Sequence, residues 1–289
     1  MTLPDVTDTV SSLRDRVAAW RSAGLGIALV PTMGALHEGH LALARRAREV
    51  ADRVVVSIFV NPKQFGPAED FERYPRAEAQ DRALLAGLAD LVFAPSPARM
   101  YPPGFSTTVS VEGPSAGFEG DARPGHFDGM TTVVTKLFLQ AAPDIAVFGE
   151  KDWQQLQVVR RLVRDLDLPL RILAHPVVRD EHGLALSSRN ARLSADELAL
   201  ARRLNVVLAE ARDELRRGRP VEEALAAGRR ELAELGFGPL DYLALVDGDT
   251  IAPLRSLDGE AKARLLVAVR LGPVRLLDNL EVPGPGSGA

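Results

Sequence analysis

The chain has 289 residues, of which 46% are hydrophobic and 26% charged, and its formal net charge is −4. These proportions are ordinary for a globular protein, and the length predicts two domains or one large one. An acidic chain does not supply the broad basic surface of nucleic-acid-binding proteins, so we expect no nucleic-acid partner. The absence of cysteine excludes disulfides, thiolate metal sites and a thiol nucleophile.

The sequence shows no targeting or membrane-spanning segment. The N-terminal residues lack a basic region followed by an apolar one, and apolar runs such as 54–60 are too short to cross a bilayer. We therefore expect a cytoplasmic protein without a membrane partner.

Helical and strand-like patterns alternate over the first part of the chain. The patterns predict helices over 10–20, 41–50, 76–88, 130–141 and 152–165, and strands over 27–30, 54–60, 91–94, 145–148 and 170–174. Strands that are apolar on both faces must be covered on both sides. The fold class is therefore predicted to be α/β, with a Rossmann-like parallel sheet, flanking helices and ligands at the carboxyl ends of the strands.

The pattern changes near residue 180. Helices are predicted over 194–217 and 221–235, and strands over 242–246, 265–271 and 274–277, which indicates a smaller α+β C-terminal domain. The expected domains are residues 1–178, residues 179–282 and a disordered tail over 283–289, whose sequence is rich in glycine and proline.

The first strand runs into the segment PTMGALHEGH, residues 31–40, and a helix follows at once. Helix N-termini bind anions, and Gly34 and Gly39 let the backbone approach a ligand closely. His37 and His40 lie three residues apart and can donate hydrogen bonds to phosphate oxygens as charge develops on a leaving group. A zinc protease is disfavoured because it needs the spacing H-E-x-x-H. The H-x-G-H pattern resembles that of the adenylate-forming nucleotidyl transferases of the HIGH superfamily.

The second strand runs into Asn61 and Gln64, two uncharged hydrogen-bonding side chains that can orient the hydroxyls and carboxylate of a small substrate. On this segment alone, an ordinary turn made by Asn-Pro and Phe-Gly is the favoured interpretation. Arg123 and His126, in a glycine-containing loop before a helix, can face an anion, although this signal is weak by itself.

Two further segments carry cationic groups. The strand over 145–148 is followed by Gly149-Glu150-Lys151-Asp152, in which the lysine suits a phosphate and the aspartate suits a helix N-terminus or a ribose hydroxyl. The segment Leu186-Ser187-Ser188-Arg189 combines two hydroxyls and a guanidinium, which suits a phosphate and has the form of the superfamily's second, mobile nucleotide loop. A capped surface helix remains the alternative for each segment.

Seven segments, in order and spacing, resemble the pantothenate synthetase (pantoate–β-alanine ligase) family: PTMGALHEGH, SIFVNPKQF, YPR, RPGHF, VVTKLF, FGEKDWQQL and LSSRN. The resemblance implies that pantoate attacks the α-phosphorus of ATP, giving pantoyl adenylate and pyrophosphate. β-Alanine then attacks the acyl carbon, giving pantothenate and AMP. It also implies that Mg²⁺ accompanies ATP and that the protein is a homodimer.

The resemblance also implies roles for individual residues. The catalytic set is His37, His40, Lys151 and Arg189, with His40 as the acid that assists pyrophosphate departure. The ATP-binding set is Pro31, Thr32, Met33, Gly34, His37, Gly39, His40, Gly149, Glu150, Lys151, Asp152, Val178, Leu186, Ser187, Ser188 and Arg189. The pantoate-binding set is Met33, Asn61, Gln64 and Gln155. No metal ligand is assigned, although Asp81 is a possible Mg²⁺ contact.

Four positions differ from the family's usual pattern, namely Lys63, Asp128, Trp153 and His182. None of them removes a group with an implied role, so we expect activity with altered affinities. Because an adenylate hydrolyses in water, the site needs a cover, and we expect residues 179–282 to act as a lid.

Two alternatives remain open. Another nucleotidyl transferase of the superfamily would lack the paired glutamines Gln64 and Gln155, and a tRNA synthetase would need a more basic surface. A catalytically inactive nucleotide-binding or scaffold protein would show no turnover.

Overall fold

A computed structural model describes residues 2–66, 71, 74–258 and 262–284. The residues form two compact units: the first holds Met1–Glu150 and Val158–Pro176, and the second holds Lys151–Gln157 and Val177–Ala289. The domain boundary expected at residues 178–179 stays a prediction. The tail expected over 283–289 lies, from residue 285 onward, outside the described residues.

The first unit contains a six-stranded sheet whose paired strands are all parallel, in the order β1-β4-β3-β2-β5-β6. Its strands are β1 (Asp5–Thr7), β2 (Ile27–Thr32), β3 (Arg53–Ile58), β4 (Leu91–Phe93), β5 (Ile145–Gly149) and β6 (Arg171–His175). The helices along this part of the chain are α1 (Val10–Ser22), α2 (Glu38–Val50), α3 (Glu78–Leu84), α4 (Pro97–Met100), α5 (Glu119–Ala122), α6 (His126–Ala141) and α7 (Trp153–Asp165). The first five residues of α7, up to Gln157, belong to the second unit.

The second unit contains a three-stranded antiparallel sheet in the order β7-β8-β9. Its elements are α8 (Ala195–Ala201), α9 (Arg203–Arg216), α10 (Val221–Glu234), β7 (Leu240–Asp247), β8 (Ala263–Leu271) and β9 (Val274–Val282). The apolar sides of α9, α10 and β8 form its core, with Leu204, Leu208 and Leu265 almost fully buried. The predicted α/β fold with a smaller α+β part is thereby confirmed.

The central strands are buried because they are apolar on both faces. Residues 27–30 of β2 have no exposed surface, and residues 54–56 of β3 have almost none. Thr32 pairs with Ile58 at the carboxyl ends of these two strands, and the Thr32 hydroxyl donates to the Ser57 carbonyl at 2.7 Å. The loops that follow β2 and β3 therefore start side by side at one edge of the sheet.

Within the described ranges, no helix is both long enough and apolar enough to cross a membrane.

Candidate active site

The loop between β2 and α2 is held in an unusual backbone conformation by a buried carboxylate. Gly34 and Ala35 have φ values of 81° and 50°, which lie in the left-handed region. Asp81, on α3, accepts hydrogen bonds from the backbone N–H groups of Ala35 at 2.9 Å and Leu36 at 2.7 Å. Only 1% of Asp81 is exposed. Its carboxylate is thus committed to the loop and closed off from a phosphate-bound cation, so the structure argues against the suggested Mg²⁺ contact.

We expect Asp81→Asn to lower both the stability of the protein and its use of ATP. An amide has one accepting oxygen, so one backbone N–H of the loop would lose its partner in a buried setting, at a cost of about 1–3 kcal/mol. Thermal unfolding and the KM for ATP would measure the two effects. Asp52→Asn is the matched control because Asp52 accepts the Gly26 N–H at the other end of β2. A less stable Asp81→Asn protein with an unchanged KM for ATP would contradict a role in the site.

His37 and His40 cap the N-terminus of α2 with their own rings. The His37 Nδ1 accepts from the Gly39 N–H at 3.1 Å, and the His40 Nδ1 accepts from the His37 N–H at 3.3 Å, which together form a capping box. The ring centroids lie 4.1 Å apart. Because each Nδ1 accepts a hydrogen bond, the proton of each neutral ring resides on Nε2. Both rings therefore present an Nε2–H donor.

Asn61 orients Gln64 from a fully buried position. The Asn61 Nδ2 donates to the Gln64 Oε1 at 2.8 Å and to the Gly129 carbonyl at 3.0 Å. The Asn61 Oδ1 accepts from the Tyr101 hydroxyl at 2.8 Å and from the Lys63 N–H at 3.3 Å. Asn61 has 0% exposed surface, so its side chain acts on the adjacent Gln64. With its Oε1 engaged, Gln64 presents its Nε2 donors.

Tyr101→Phe tests this network. Burial raises the pKa of the Tyr101 phenol, so the hydroxyl stays protonated and donates to Asn61. Loss of that donor is expected to cost about 0.5–1.5 kcal/mol of stability and to raise the KM for the carboxylic-acid substrate several-fold. Denaturant unfolding and steady-state kinetics would measure both. Tyr74→Phe is the matched control, since the Tyr74 ring packs against Phe65 without a hydroxyl hydrogen bond in the described residues. Equal kinetics for the two variants would contradict the role of Tyr101.

The segment that carries Gln64 is pressed against α6. A Cβ added to Gly129 would lie 2.0 Å from the Lys63 carbonyl oxygen and 2.9 Å from the Gln64 nitrogen. The Gln64 carbonyl also accepts from Arg123 Nη2 at 3.2 Å and contacts His126 Nδ1 at 3.1 Å. The two residues that were expected to face an anion thus hold the backbone of Gln64. The motif RPGHF and the glycine of α6 act together to fix this glutamine.

In the second unit, three of the predicted ATP-binding residues line one recess. Lys151, Ser187 and Arg189 surround it together with residues of β9. The Ser187 hydroxyl accepts the Arg189 N–H at 3.2 Å and so starts the short helix over Ser188–Arg192. The Leu186 N–H donates to the Val178 carbonyl at 2.9 Å, which closes a hairpin just before the serines. The structure thus brings the lysine segment and the Ser-Ser-Arg segment together.

The model of the pantoate-beta-alanine ligase family matches residues 5–281 of the chain. The chain belongs to this family. Proteins named pantothenate synthetase from Mesorhizobium japonicum and Rhizorhabdus wittichii are 55% identical over 284 residues and 56% identical over 282 residues. These matches cover 98% and 97% of this chain, and 99% of each relative.

Solved structures of the family agree. Pantothenate synthetase from Thermus thermophilus superposes with a TM-score of 0.88 at 49% identity, covering 96% of this chain and 99% of that one. Pantoate-beta-alanine ligase from Francisella tularensis, solved with beta-gamma ATP and beta-alanine, gives a TM-score of 0.78 at 32% identity, covering 96% and 97%. The resemblance inferred from the seven motifs is confirmed.

The remaining predicted residues lie where regular elements end or begin, and β2 and β5 extend further than predicted, to Thr32 and Gly149. Pro31 and Thr32 end β2, Met33 and Gly34 begin the following loop, Gly149 ends β5, and Glu150 begins a 3-10 turn. Asp152 ends that turn, and Gln155 lies in the first turn of α7.

The four positions that depart from the family's pattern have distinct surroundings. The Lys63 ammonium lies 5.4 Å and 5.3 Å from the ring centroids of Tyr101 and Phe105. The Trp153 Nε1–H donates to the Gly248 carbonyl at 2.8 Å. Asp128 and His182 are exposed. The His182 Nε2 lies 3.4 Å from the Glu181 carboxylate, at an exposed position. Lys63 and Trp153 therefore contribute contacts within a folded unit that a smaller side chain would lose.

Several residues of the site region were missed by the sequence motifs. Tyr101 and Gly129 act on Asn61 and Gln64 from other elements, and Asp278 lines the recess around Lys151. For Asp278 the sequence offered a weak signal, namely an acidic and an amide residue next to each other directly after the apolar pair Leu276-Leu277.

Proposed function

We propose that this chain catalyses the ATP-dependent condensation of pantoate with β-alanine, releasing AMP and pyrophosphate, as an AMP-forming ligase. Family membership over nearly the whole chain and identity above 50% to full-length pantothenate synthetases support the proposal. The observation that carries it is the pair of histidine rings that cap the N-terminus of α2 through Nδ1, which leaves the Nε2–H of each neutral ring as the group that would donate to a departing phosphate.

The chemistry explains why such donors are needed. A carboxylate is a poor acylating agent, because its oxygen leaves badly. Attack of the pantoate carboxylate on the α-phosphorus forms an acyl–phosphate bond and breaks the α–β phosphoanhydride bond, so negative charge accumulates on pyrophosphate. Donors fixed in advance stabilise that charge without reorganisation. β-Alanine's amine then attacks the acyl carbon, AMP leaves, and the amine loses a proton.

We assign roles separately within each unit. In the first, His37 and His40 contact the leaving phosphates, and Gln64 donates its Nε2 hydrogens to pantoate, with Asn61 holding Gln64 in place. In the second, Lys151 and Arg189 contact the triphosphate, since they lie on neighbouring segments beside Ser187, around a recess that is itself too small to hold the triphosphate. Gln155 is proposed as the second pantoate donor. The other residues of the ATP-binding set are likewise proposed to contact ATP.

Mg²⁺ is proposed to arrive on the phosphates of ATP. Within the described ranges no group of three histidine, aspartate or glutamate side chains is arranged to hold a metal ion. Mg²⁺ commonly keeps several waters and binds through one or two carboxylates together with substrate phosphates, so it does not require a cluster of three protein ligands. When bound, the ion would neutralise charge on the phosphates.

Three further expectations from the sequence stand as proposals. A homodimer would be seen by light scattering of the purified protein. A cytoplasmic location would be seen by cell fractionation. The lid role of residues 179–282 predicts a change in solution scattering when ATP and pantoate are added, and an unchanged profile would remove it.

Pyrophosphate release from ATP tests the function directly. Steady release that requires both pantoate and β-alanine would establish the ligase reaction. About one equivalent released with pantoate alone would show that the adenylate is retained on the enzyme. Release without any dependence on pantoate would contradict the proposal and favour another nucleotidyl transferase, whereas no release would favour a binding protein.

A further inference from the structure

Strand β9 carries two adjacent buried polar residues, Asp278 and Asn279, which are 3% and 2% exposed. Burial of a charge or an amide is costly unless partners satisfy it. β9 is an edge strand of its sheet in the described residues, so one side of it is open to groups from outside the sheet. The partners of the two side chains identify those groups.

Asn279 holds the lysine segment. Its Nδ2 donates to the backbone carbonyl of Lys151 at 2.9 Å, 128 residues away in sequence. Its Oδ1 accepts from Arg264 Nη1 at 2.7 Å, and the Arg264 guanidinium lies 3.4 Å from the centroid of the Trp153 ring. Residues 151–153 are therefore fixed both at the backbone and at a side-chain ring.

Asp278 holds the hairpin that leads into the Ser-Ser-Arg segment. Its two oxygens accept from Arg179 at 2.6 Å and 2.8 Å, a bidentate pair in which the carboxylate is almost completely buried. Arg179 also donates to the Gly183 carbonyl at 2.9 Å, across the turn of the hairpin. The hairpin closes between Val178 and Leu186, and Ser187 follows. The position of Ser187–Arg189 thus depends on Asp278.

We propose that Asp278 and Asn279 are positioning residues for the ATP triphosphate. Neighbouring residues of one strand hold the two segments whose cations line the same recess, so β9 sets the separation of Lys151 and Arg189. This inference rests on the proposed function, in which those two cations contact the triphosphate. Neither positioning residue contacts the substrate in this scheme; each acts through the segment that it holds.

Asn279→Asp is the sharpest test. Aspartate has the same size and keeps an acceptor for Arg264, but it replaces the donor to the Lys151 carbonyl by an oxygen that repels it. We expect a folded protein in which the rate of pantoate-dependent pyrophosphate release falls between about tenfold and 100-fold, the range that a displaced reacting group produces. The KM for ATP should rise, and the KM for β-alanine should stay unchanged.

Asp278→Asn is expected to act in the same direction. This variant leaves the Arg179 guanidinium without its carboxylate and can therefore unfold the unit. If it does, Asn279→Asp still tests the inference. Glu231→Gln is the matched control. It removes an ion pair to Arg203 at 3.3 Å, between α9 and α10 of the same unit, without touching either held segment. Its kinetics should match those of the unaltered protein.

A double-mutant cycle separates positioning from general stability. If Asn279 acts through Lys151, then Asn279→Asp should add little further loss in a Lys151→Ala background. Unaltered kinetics of Asn279→Asp, or full additivity with Lys151→Ala, would overturn the inference. Absence of pantoate-dependent pyrophosphate release in the unaltered protein would instead defeat the proposed function. ATP binding by calorimetry would then decide the positioning role, because Asn279→Asp should bind ATP more weakly than Glu231→Gln.

Discussion

His40→Asn is expected to fold normally and to release pyrophosphate about 100-fold to 1,000-fold more slowly, the loss that follows removal of one fixed donor to a developing negative charge. The asparagine Oδ1 can take the place of the histidine Nδ1, which accepts the His37 N–H in the capping box. The cap is therefore kept while the Nε2–H donor is lost. Pre-steady-state pyrophosphate release and thermal unfolding would measure the rate and the stability.

His40→Gln is the complementary variant. Its longer side chain places an amide close to the position of Nε2, and glutamine is a usual capping-box residue at this position of a helix, so its Oε1 can still accept the His37 N–H. We expect a protein about as stable as His40→Asn that retains more activity. The two variants should thus differ in rate but not in stability. Rates that simply followed the stability of the two variants would show that His40 matters only as a helix cap.

Gly129→Ala is expected to disrupt the substrate-binding network from a position that contacts no substrate. Alanine is favoured over glycine in a helix interior by up to about 1 kcal/mol, so helix propensity alone predicts stabilisation. The added Cβ would, however, lie 2.0 Å from the Lys63 carbonyl oxygen, so α6 or the Gln64 segment must move. We expect a net loss of about 1–3 kcal/mol and an activity loss of up to about 100-fold.

Gly66→Ala controls for the effect of a glycine substitution near the same loop, because a Cβ built on Gly66 meets no atom of the described residues within 4 Å. Stability and the KM for pantoate would be measured for both variants. Gly66→Ala should resemble the unaltered protein in both. A stabilised and fully active Gly129→Ala protein would contradict this prediction. It would show that α6 can move away from the Gln64 segment without loss of function.

The sequence predicted the parallel sheet and the histidine pair because both depend on local patterns. Apolar runs of strand length identified β2, β3 and β5, and the H-x-G-H motif placed its rings at the start of α2. The start of α2 at Glu38 rather than Leu41 was missed, because the first turn is polar and histidine is not a usual cap. Likewise, β1 was missed because its sequence, Asp-Val-Thr, contains a single apolar residue, whereas the equally short β4 is wholly apolar.

The residues that support the site could not be predicted from the sequence, for a different reason. Asp81 bonds to a residue 45 positions away, and Tyr101 to one 40 positions away. Nothing in the sequence next to an aspartate or a tyrosine specifies such a partner. Similarly, the predicted helix over 194–217 divides at Arg202, whose Nε bonds to the Asp180 carboxylate at 2.9 Å. Local propensity gave no indication of that long-range contact.

The hydrogen bond between Asn279 and the Lys151 carbonyl also has a consequence for the order in which the protein matures on the ribosome. The two residues are separated by 128 positions. At about 5–20 residues per second, Lys151 is synthesised on the order of ten seconds before its partner. All six strands of the parallel sheet are complete by residue 175, well before β9 exists. A nascent chain therefore has time to fold its parallel sheet before β9 is available to hold the lysine segment. We expect the ability to activate a carboxylic acid to appear only late in translation.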